Sequence, residues 1–451
     1  MLKNRESGMR RDRLSSGPPT GCRRRVAVVG SGVSGLLCGW LLARRFDVTI
    51  YEAGDRVGGH TNTVDVDLGG RRHPVDTGFL VFNRRTYPQL CALFAWLGVE
   101  ADASEMSFSV SIREPDLEWS GSSLAGIFAQ RRNLGRPAFL AMLRDILRFN
   151  AAARTIDRDA AAGGQSLGDY LQRNRFGHAF RDWYLLPMAA AIWSCPTSRM
   201  LEFPLRSFVS FCNNHGLLQV RDRPQWLTVR GGGREYLRRL TAGVDRLHLA
   251  TAVHDLLRDQ QGVWLFSDRG AERYDEVVLA CHSDQALRIL GGGADADERS
   301  VLSAIAYQPN TAWLHTDVDL LPRRRAAWSA WNYLAGPKQS GHAPVSVSYL
   351  INRLQPLPFD VPVVVTLNPW RTPADRHVLR RFDYAHPVFD AAAVAAQSRL
   401  SAIQGRGRVW YAGAWTGYGF HEDGVRSAVD VATSLGVSVP WRADARRPER
   451  A

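Results

Sequence analysis

VAVVGSGVSGLLCGW, Val26 to Trp40, is the stretch from which the rest of the chain is read. The run from Arg25 to Val29 is apolar and β-branched, which favours a buried strand. Gly30, Gly32 and Gly35 follow as G-x-G-x-x-G, and Leu36, Leu37, Trp40, Leu41 and Leu42 then recur at helical spacing. Strand, tight turn and helix start are the context a dinucleotide-binding loop requires. Gly30 permits the turn, Gly32 lets backbone approach a pyrophosphate, and Gly35 lets helix and strand pack. The loop's N–H groups, with Ser31 and Ser34 among them, then face the phosphates. A second strand, DVTIYEA (Asp47–Ala53), delivers Glu52, whose carboxylate would accept from ribose hydroxyls and repel a 2′-phosphate. The competing reading is a glycine-rich turn in an unrelated α/β unit.

Just downstream, AGDRVGGHTNT adds Arg56, the pair Gly58–Gly59, His60 and Thr61. A second glycine pair can bring more N–H groups to a diphosphate; alone it would read as a surface hairpin. Near the other end, VWYAGAWTGYGFHEDGVRSAVDVATSL holds an apolar strand, Val409–Ala412, broken by Gly413. Gly424 then precedes a helical pattern through Val425, Ala428, Val429 and Val431. Between the two, TVRGGGREYLRRL (Thr228–Leu240) reads as a glycine turn and a helix, followed by alternating strands and a helix.

These stretches resemble the flavin-containing amine oxidase superfamily, which includes monoamine oxidases, protoporphyrinogen oxidase and phytoene desaturase-like enzymes. Its pattern is GxGxxG, an acid, R-x-G-G-R, and a late strand ending in A-G with a D-G or E-G beyond. His60 replaces the final arginine, and Trp415 stands where many amine oxidases have a glutamate. The resemblance implies α/β + α+β architecture. It would comprise a Rossmann-like, glutathione-reductase-type FAD domain from three segments (24–85, 227–292 and 400–440) and a substrate domain of helices and a mixed sheet (86–226 and 293–399). A basic tail (1–23) and a frayed end (441–451) complete the division. It further implies FAD, held non-covalently because no cysteine follows Cys281. Val253 would give adenine a backbone contact, although it reads equally as strand core. Gly413 and Trp415 would lie by the ribityl arm, and Gly424 and Val425 would offer N–H groups at a helix start aimed at the flavin ring.

For catalysis the candidates are Tyr418 and His421, in the loop before that helix; amine oxidases place a cage tyrosine at the position of His421. The histidine could handle a proton at neutral pH, or cap the helix, or bond a flavin carbonyl. Asp76 in RRHPVDTGFLVF matches the superfamily's D-x-G segment, or else is an Asx cap of a turn. Many amine oxidases carry a lysine on a substrate-domain strand; Asn310–Leu314, the comparable stretch, has none, and Lys338 lies in a Gly-Pro loop. These absences argue against amine oxidation and leave hydride abstraction from carbon.

Bulk properties narrow the classes. The 451 residues are 45% hydrophobic and 22% charged, as in ordinary globular proteins. The net charge is +13, and only Lys3 and Lys338 among 57 basic residues are lysine. No nucleic-acid motif accompanies the charge, so no nucleic-acid partner is expected, and the basic leader has no apolar signal core. Six cysteines without CxxC spacing predict free thiols in a reducing cytoplasm and no metal site. RPAFLAMLRDILRFN (Arg136–Asn150) puts Phe139, Leu143, Ile146, Leu147 and Asn150 at helical spacing. The stripe suits core packing beneath a basic solvated face, or peripheral contact with the inner membrane surface. WYLLPMAAAIW (Trp183–Trp193) is too short to span a bilayer and reads as core or cavity wall. The first insertion reads as helical, the second as strand-rich.

HPVDTGFLVFN, FRDWYLLPMAAAIWSCP, NHGLLQV and GAWTGYGFHEDG look closest to a bacterial "predicted NAD/FAD-binding protein" branch. Its members commonly accompany cyclopropane-fatty-acyl-phospholipid synthase-like methyltransferases. That likeness implies an acyl-lipid substrate and functional association with such a methyltransferase. Amine oxidation with peroxide release, and non-redox flavin-dependent isomerisation or cyclisation, are the alternatives.

Overall fold

The computed structural model describes residues 23–156, 164–193, 200–219, 223–337 and 346–444. Cys22, Cys195, Lys338 and most of both tails lie outside the described residues. Five strands form a parallel sheet in the order Arg246–His248, Asp47–Tyr51, Arg25–Val29, Glu276–Leu279, Val409–Tyr411. The registers Val26↔Val48, Val26↔Glu276 and Val277↔Val409 bring three remote stretches of chain side by side. Val26, Val28, Ile50, Val277 and Val278 are fully buried, as a sheet covered on both faces requires. Helix Val33–Leu42 covers one face and packs on helix His421–Ser434. An antiparallel meander, Val253–Arg258, Val263–Ser267 and Gly270–Tyr274, sits beside the sheet.

The second body is a seven-stranded mixed sheet in the order Val378–Val388, Ala306–His315, Val364–Leu367, Ser346–Leu350, Trp331–Ala335, Phe108–Ile112, Leu117–Ser120. Its one parallel pair, Trp331–Ala335 with Phe108–Ile112, joins the two insertions. The first insertion is therefore not all helical. It also gives Ala101–Ser104 to a small sheet in which Trp226–Val229 is the central strand. Serines alternating with apolar residues in these strands supply no long hydrophobic run.

Helix Pro137–Ile156 splits the stripe read from sequence. Phe139 is core with Met142 and Phe149, whereas Leu143, Ile146, Leu147 and Asn150 turn to a cavity. The stretch His178–Trp193 is helical throughout, with a π turn at Arg181–Leu185. Pro187 lacks the N–H that would bond back to Trp183, and Trp119 Nε1 donates to that carbonyl instead, at 3.2 Å. The far end is not frayed from residue 441: Pro440–Asp444 is helical, and Trp441 stacks on Trp40 with centroids 6.4 Å apart. Among the described residues Cys38, Cys91, Cys212 and Cys281 are free, and no helix is long and apolar enough to cross a membrane.

Candidate active site

A cavity of about 1650 Å³ runs from the carboxyl ends of the parallel strands into the space between the mixed sheet and the helices of the first insertion. At its first end the Gly30 N–H donates to the Tyr51 carbonyl at 2.8 Å, and a Cβ on Gly30 would press into the Ala280 carbonyl. Glu52 Oε2 accepts from the Ser31 N–H at 2.9 Å and from the Ser31 hydroxyl, while Oε1 accepts from the Gly54 N–H. The Gly58 N–H donates to the Ser31 carbonyl, stitching the two glycine loops together. Gly30, Ser31, Gly32, Ser34, Glu52, Gly58, Gly59, His60 and Val253 all lie on the wall.

Three expected contacts at this end do not. Arg56 clamps the loop from behind, donating to the carbonyls of Gly59 at 2.8 Å and of Val57 and Thr61 at 3.3 Å. Thr61 spends its hydroxyl on Tyr236 and His421. Gly35 serves packing, since a Cβ there would collide with the Gly30 carbonyl.

At the other end Gly413, Trp415, Phe420 and His421 line the wall. The Gly413 N–H donates to Ser427 Oγ at 2.9 Å, and Trp415, 2% exposed, donates Nε1–H to the Cys281 carbonyl. The helix opens at His421, three residues before Gly424. The Gly424 N–H is consequently spent on the Phe420 carbonyl, and a Cβ on Gly424 would meet Ser34 Oγ at 2.8 Å and Val33 Cγ1 at 2.9 Å. Gly424 therefore belongs to the helix–helix seam rather than the wall, and Val425, fully buried, is likewise off the wall. Tyr418 also stands off the wall, its ring packed on Phe211 and its N–H held by Asp423. His421 Nε2 lies 2.8 Å from Thr61 Oγ1 and 3.2 Å from the Tyr236 hydroxyl, with its ring flat on Phe79 at 3.7 Å. Burial pushes its pKa down to about 3, so it is neutral and already bonded.

Asp76, matched to the superfamily's D-x-G segment or else read as an Asx cap, stands off the wall and spends its carboxylate elsewhere. Its buried carboxylate accepts from Thr63 Oγ1, the Gly233 N–H and Gln355 Nε2, tying three segments beneath the wall.

Beside His60 the wall also carries two histidines, His282 and His386, that the sequence did not single out. His60 packs on Tyr384 with centroids 5.0 Å apart, and its ring is 5.1 Å from His386 and 6.1 Å from His282. His282 stacks on Tyr307 at 4.3 Å. Asn310 Nδ2 donates to His386 Nδ1 at 2.7 Å, and Asn310 Oδ1 accepts from Asn368 Nδ2. The stretch without a lysine thus anchors a histidine. Burial lowers the pKa of all three rings, that of His386 to about 4. His60 was visible only as a departure from R-x-G-G-R; His282 and His386 come from distant segments with no local signal. Among the described residues no group of three or more His, Cys, Asp or Glu side chains is placed to hold a metal.

A model of flavin containing amine oxidoreductases matches residues 33–312, more than half of the sequence. The chain belongs to this family. The flavoenzyme is an FAD-dependent oxidoreductase, and three observations suit that cofactor. Nothing lies within 4 Å of a Cβ built on Gly32, leaving an open cradle at the start of a helix that no side chain caps. The carboxylate of Glu52 borders it. His60 Nε2 is buried without a partner. No curated protein sequence matches the flavoenzyme. Among solved structures it is similar to a fatty acid isomerase from P. acnes (15% identity, TM-score 0.64, covering 92% of this chain and 100% of that one). It is also similar to cyclohexylamine oxidase from Brevibacterium oxydans (17%, 0.65, 92% and 100%) and to putrescine oxidase bound to putrescine (16%, 0.63, 92% and 99%). At these identities the likeness is one of fold.

Proposed function

We propose that the flavoenzyme removes hydride from a carbon of a hydrophobic substrate, an acyl chain or acyl lipid, with FAD held non-covalently. The composition of the cavity beyond the glycine loops carries this reading. Ile127, Leu143, Ile146, Met188, Ile192 and Leu217 line it. The carboxylates among the described lining residues are Glu52, at the nucleotide end, and Glu105, paired with Arg353 at 2.8 Å. A cationic amine entering the apolar end would be desolvated without a counter-charge, which is costly, whereas a hydrocarbon chain is stabilised by leaving water. The volume also exceeds the roughly 300–1,000 Å³ of a one-ligand site, in keeping with cofactor and substrate together.

When bound, FAD supplies the hydride acceptor. The chain's own contribution is to orient and to exclude water. Phe211 and Phe420 stack at 5.0 Å, Trp415 is fixed through Cys281, and neutral His386 is steadied by Asn310. With Nδ1 accepting from Asn310, His386 carries its proton on Nε2 and can present a hydrogen-bond donor without a charge.

The test is anaerobic mixing of the yellow protein with short-chain acyl esters or with an amine panel, followed as loss of flavin absorbance. Bleaching by acyl chains and not by amines is expected. Bleaching by amines alone overturns the reading, and a shifted double bond without bleaching would assign isomerisation instead.

A further inference from the structure

Large apolar side chains left in solvent concentrate in one stretch of the first insertion. Leu124 is 77% exposed, Leu134 57%, Leu140 45% and Leu147 61%. On helix Pro137–Ile156 the exposed positions Leu140, Arg144, Leu147, Ala151 and Arg154 recur at helical spacing along one face. Arg131 and Arg132 precede Leu134; Arg132 is paired with Asp116, and Arg131 is exposed. The helix's one acid, Asp145, is buried; it accepts from the Gly177 N–H and lies 3.7 Å from the guanidinium groups of Arg144 and Arg148, which themselves stay open to solvent. The solvent-facing charges of this helix are therefore all positive. Leu147 also belongs to the cavity wall beside Leu143 and Ile146, so the apolar end of the cavity reaches solvent within this patch.

We propose that this face docks on an anionic phospholipid bilayer and opens the cavity toward its hydrocarbon. Leucines on the solvent side of a folded helix lose water contact if they enter the acyl boundary. Arginines spread among them meet negative headgroups in any rotational setting, which a bilayer offers and a single protein partner with fixed carboxylates does not. The inference goes beyond the acyl-chain reading, for it names the source of the chain, and it is tested without turnover.

The holoenzyme is co-sedimented with vesicles of phosphatidylglycerol and phosphatidylcholine, and with phosphatidylcholine alone. Binding to the anionic vesicles that weakens with added salt is expected. Affinity should fall about tenfold or more both in Leu124→Ser/Leu134→Ser/Leu140→Ser and in Arg131→Gln/Arg144→Gln/Arg154→Gln. Both variants should keep their flavin colour and their bleaching by a soluble short-chain ester, which separates docking from the acyl-chain reading. Absence of vesicle binding, equal binding to neutral vesicles, or binding untouched by both sets overturns the proposal. So does self-association abolished by the leucine set in the absence of vesicles, which would give the face to a second copy.

Discussion

His421 shows how a side chain with the right sequence position can be withdrawn from acid–base work. Bonded to Thr61 and Tyr236 and stacked on Phe79, it stays neutral down to about pH 3. Its folded pKa lies below its unfolded value near 6.5, so the unfolded chain takes up the proton first as pH falls. The stabilisation is full above about pH 6.5 and is lost on the way to pH 3. His421→Gln should remove on the order of 1–2 kcal/mol of the stability change between pH 7 and pH 5, read from denaturant melts at both. His386 acts in the same direction. Asp76 acts in the opposite one: burial raises it to about 6, so its ionisation opposes folding as pH climbs toward that value. Asp76→Ala should nonetheless cost about 2–4 kcal/mol, because Thr63, Gly233 and Gln355 lose their shared acceptor. Individual residues were legible where chemistry is local, as in Gly30, Gly32 and Glu52. They were not where partners are remote, as in the ring of His60, His282 and His386.

Helix Pro88–Leu97 begins after Tyr87, which gives it no side-chain cap. Glu422, from the start of the carboxy-terminal helix, reaches across and accepts from the N–H groups of Gln89 and Leu90, both at 2.9 Å. One carboxylate thus caps a second helix in trans and fixes the angle at which Phe420 and His421 meet the cavity. Glu422→Ala should cost about 1–2 kcal/mol and loosen flavin retention, measured by thermal melting and by flavin released on dialysis. Gly424→Ala should push the two packed helices apart at Ser34 and Val33, costing about 1–3 kcal/mol. Elements with a clear local pattern, an apolar run in Arg25–Val29 and a helical period in Pro137–Ile156, could be read from sequence. Val378–Val388 could not: it is an edge strand whose Arg380, Arg381 and Asp383 interrupt the apolar pattern. The same limit hid the true start of helix His421–Ser434, since Glu422 and Asp423 are polar in type yet buried.

At the scale of the molecule, the cavity lies where the parallel sheet, the mixed sheet and the first insertion converge, so FAD bound there would help to join them. At a free concentration a hundred times its Kd, the cofactor should add about 2.7 kcal/mol of stability. Removing it should lower the melting temperature and expose the first insertion to protease, with re-addition restoring both. The three-segment sheet was foreseeable because each segment carries its own glycine signature. The seven-stranded sheet was foreseeable only in part, because its parallel seam joins Phe108–Ile112 to Trp331–Ala335 across more than two hundred residues.

The order of strands in the parallel sheet also has a consequence for biosynthesis. Arg25–Val29 sits at its centre, but its neighbour Glu276–Leu279 and the outer strand Val409–Tyr411 leave the ribosome far later. Until they emerge, the nascent chain presents a raw apolar edge and a half-built nucleotide cradle. Loading of the flavin must then wait until Val409–Tyr411 has emerged, and the unfinished polypeptide is a natural client for chaperones.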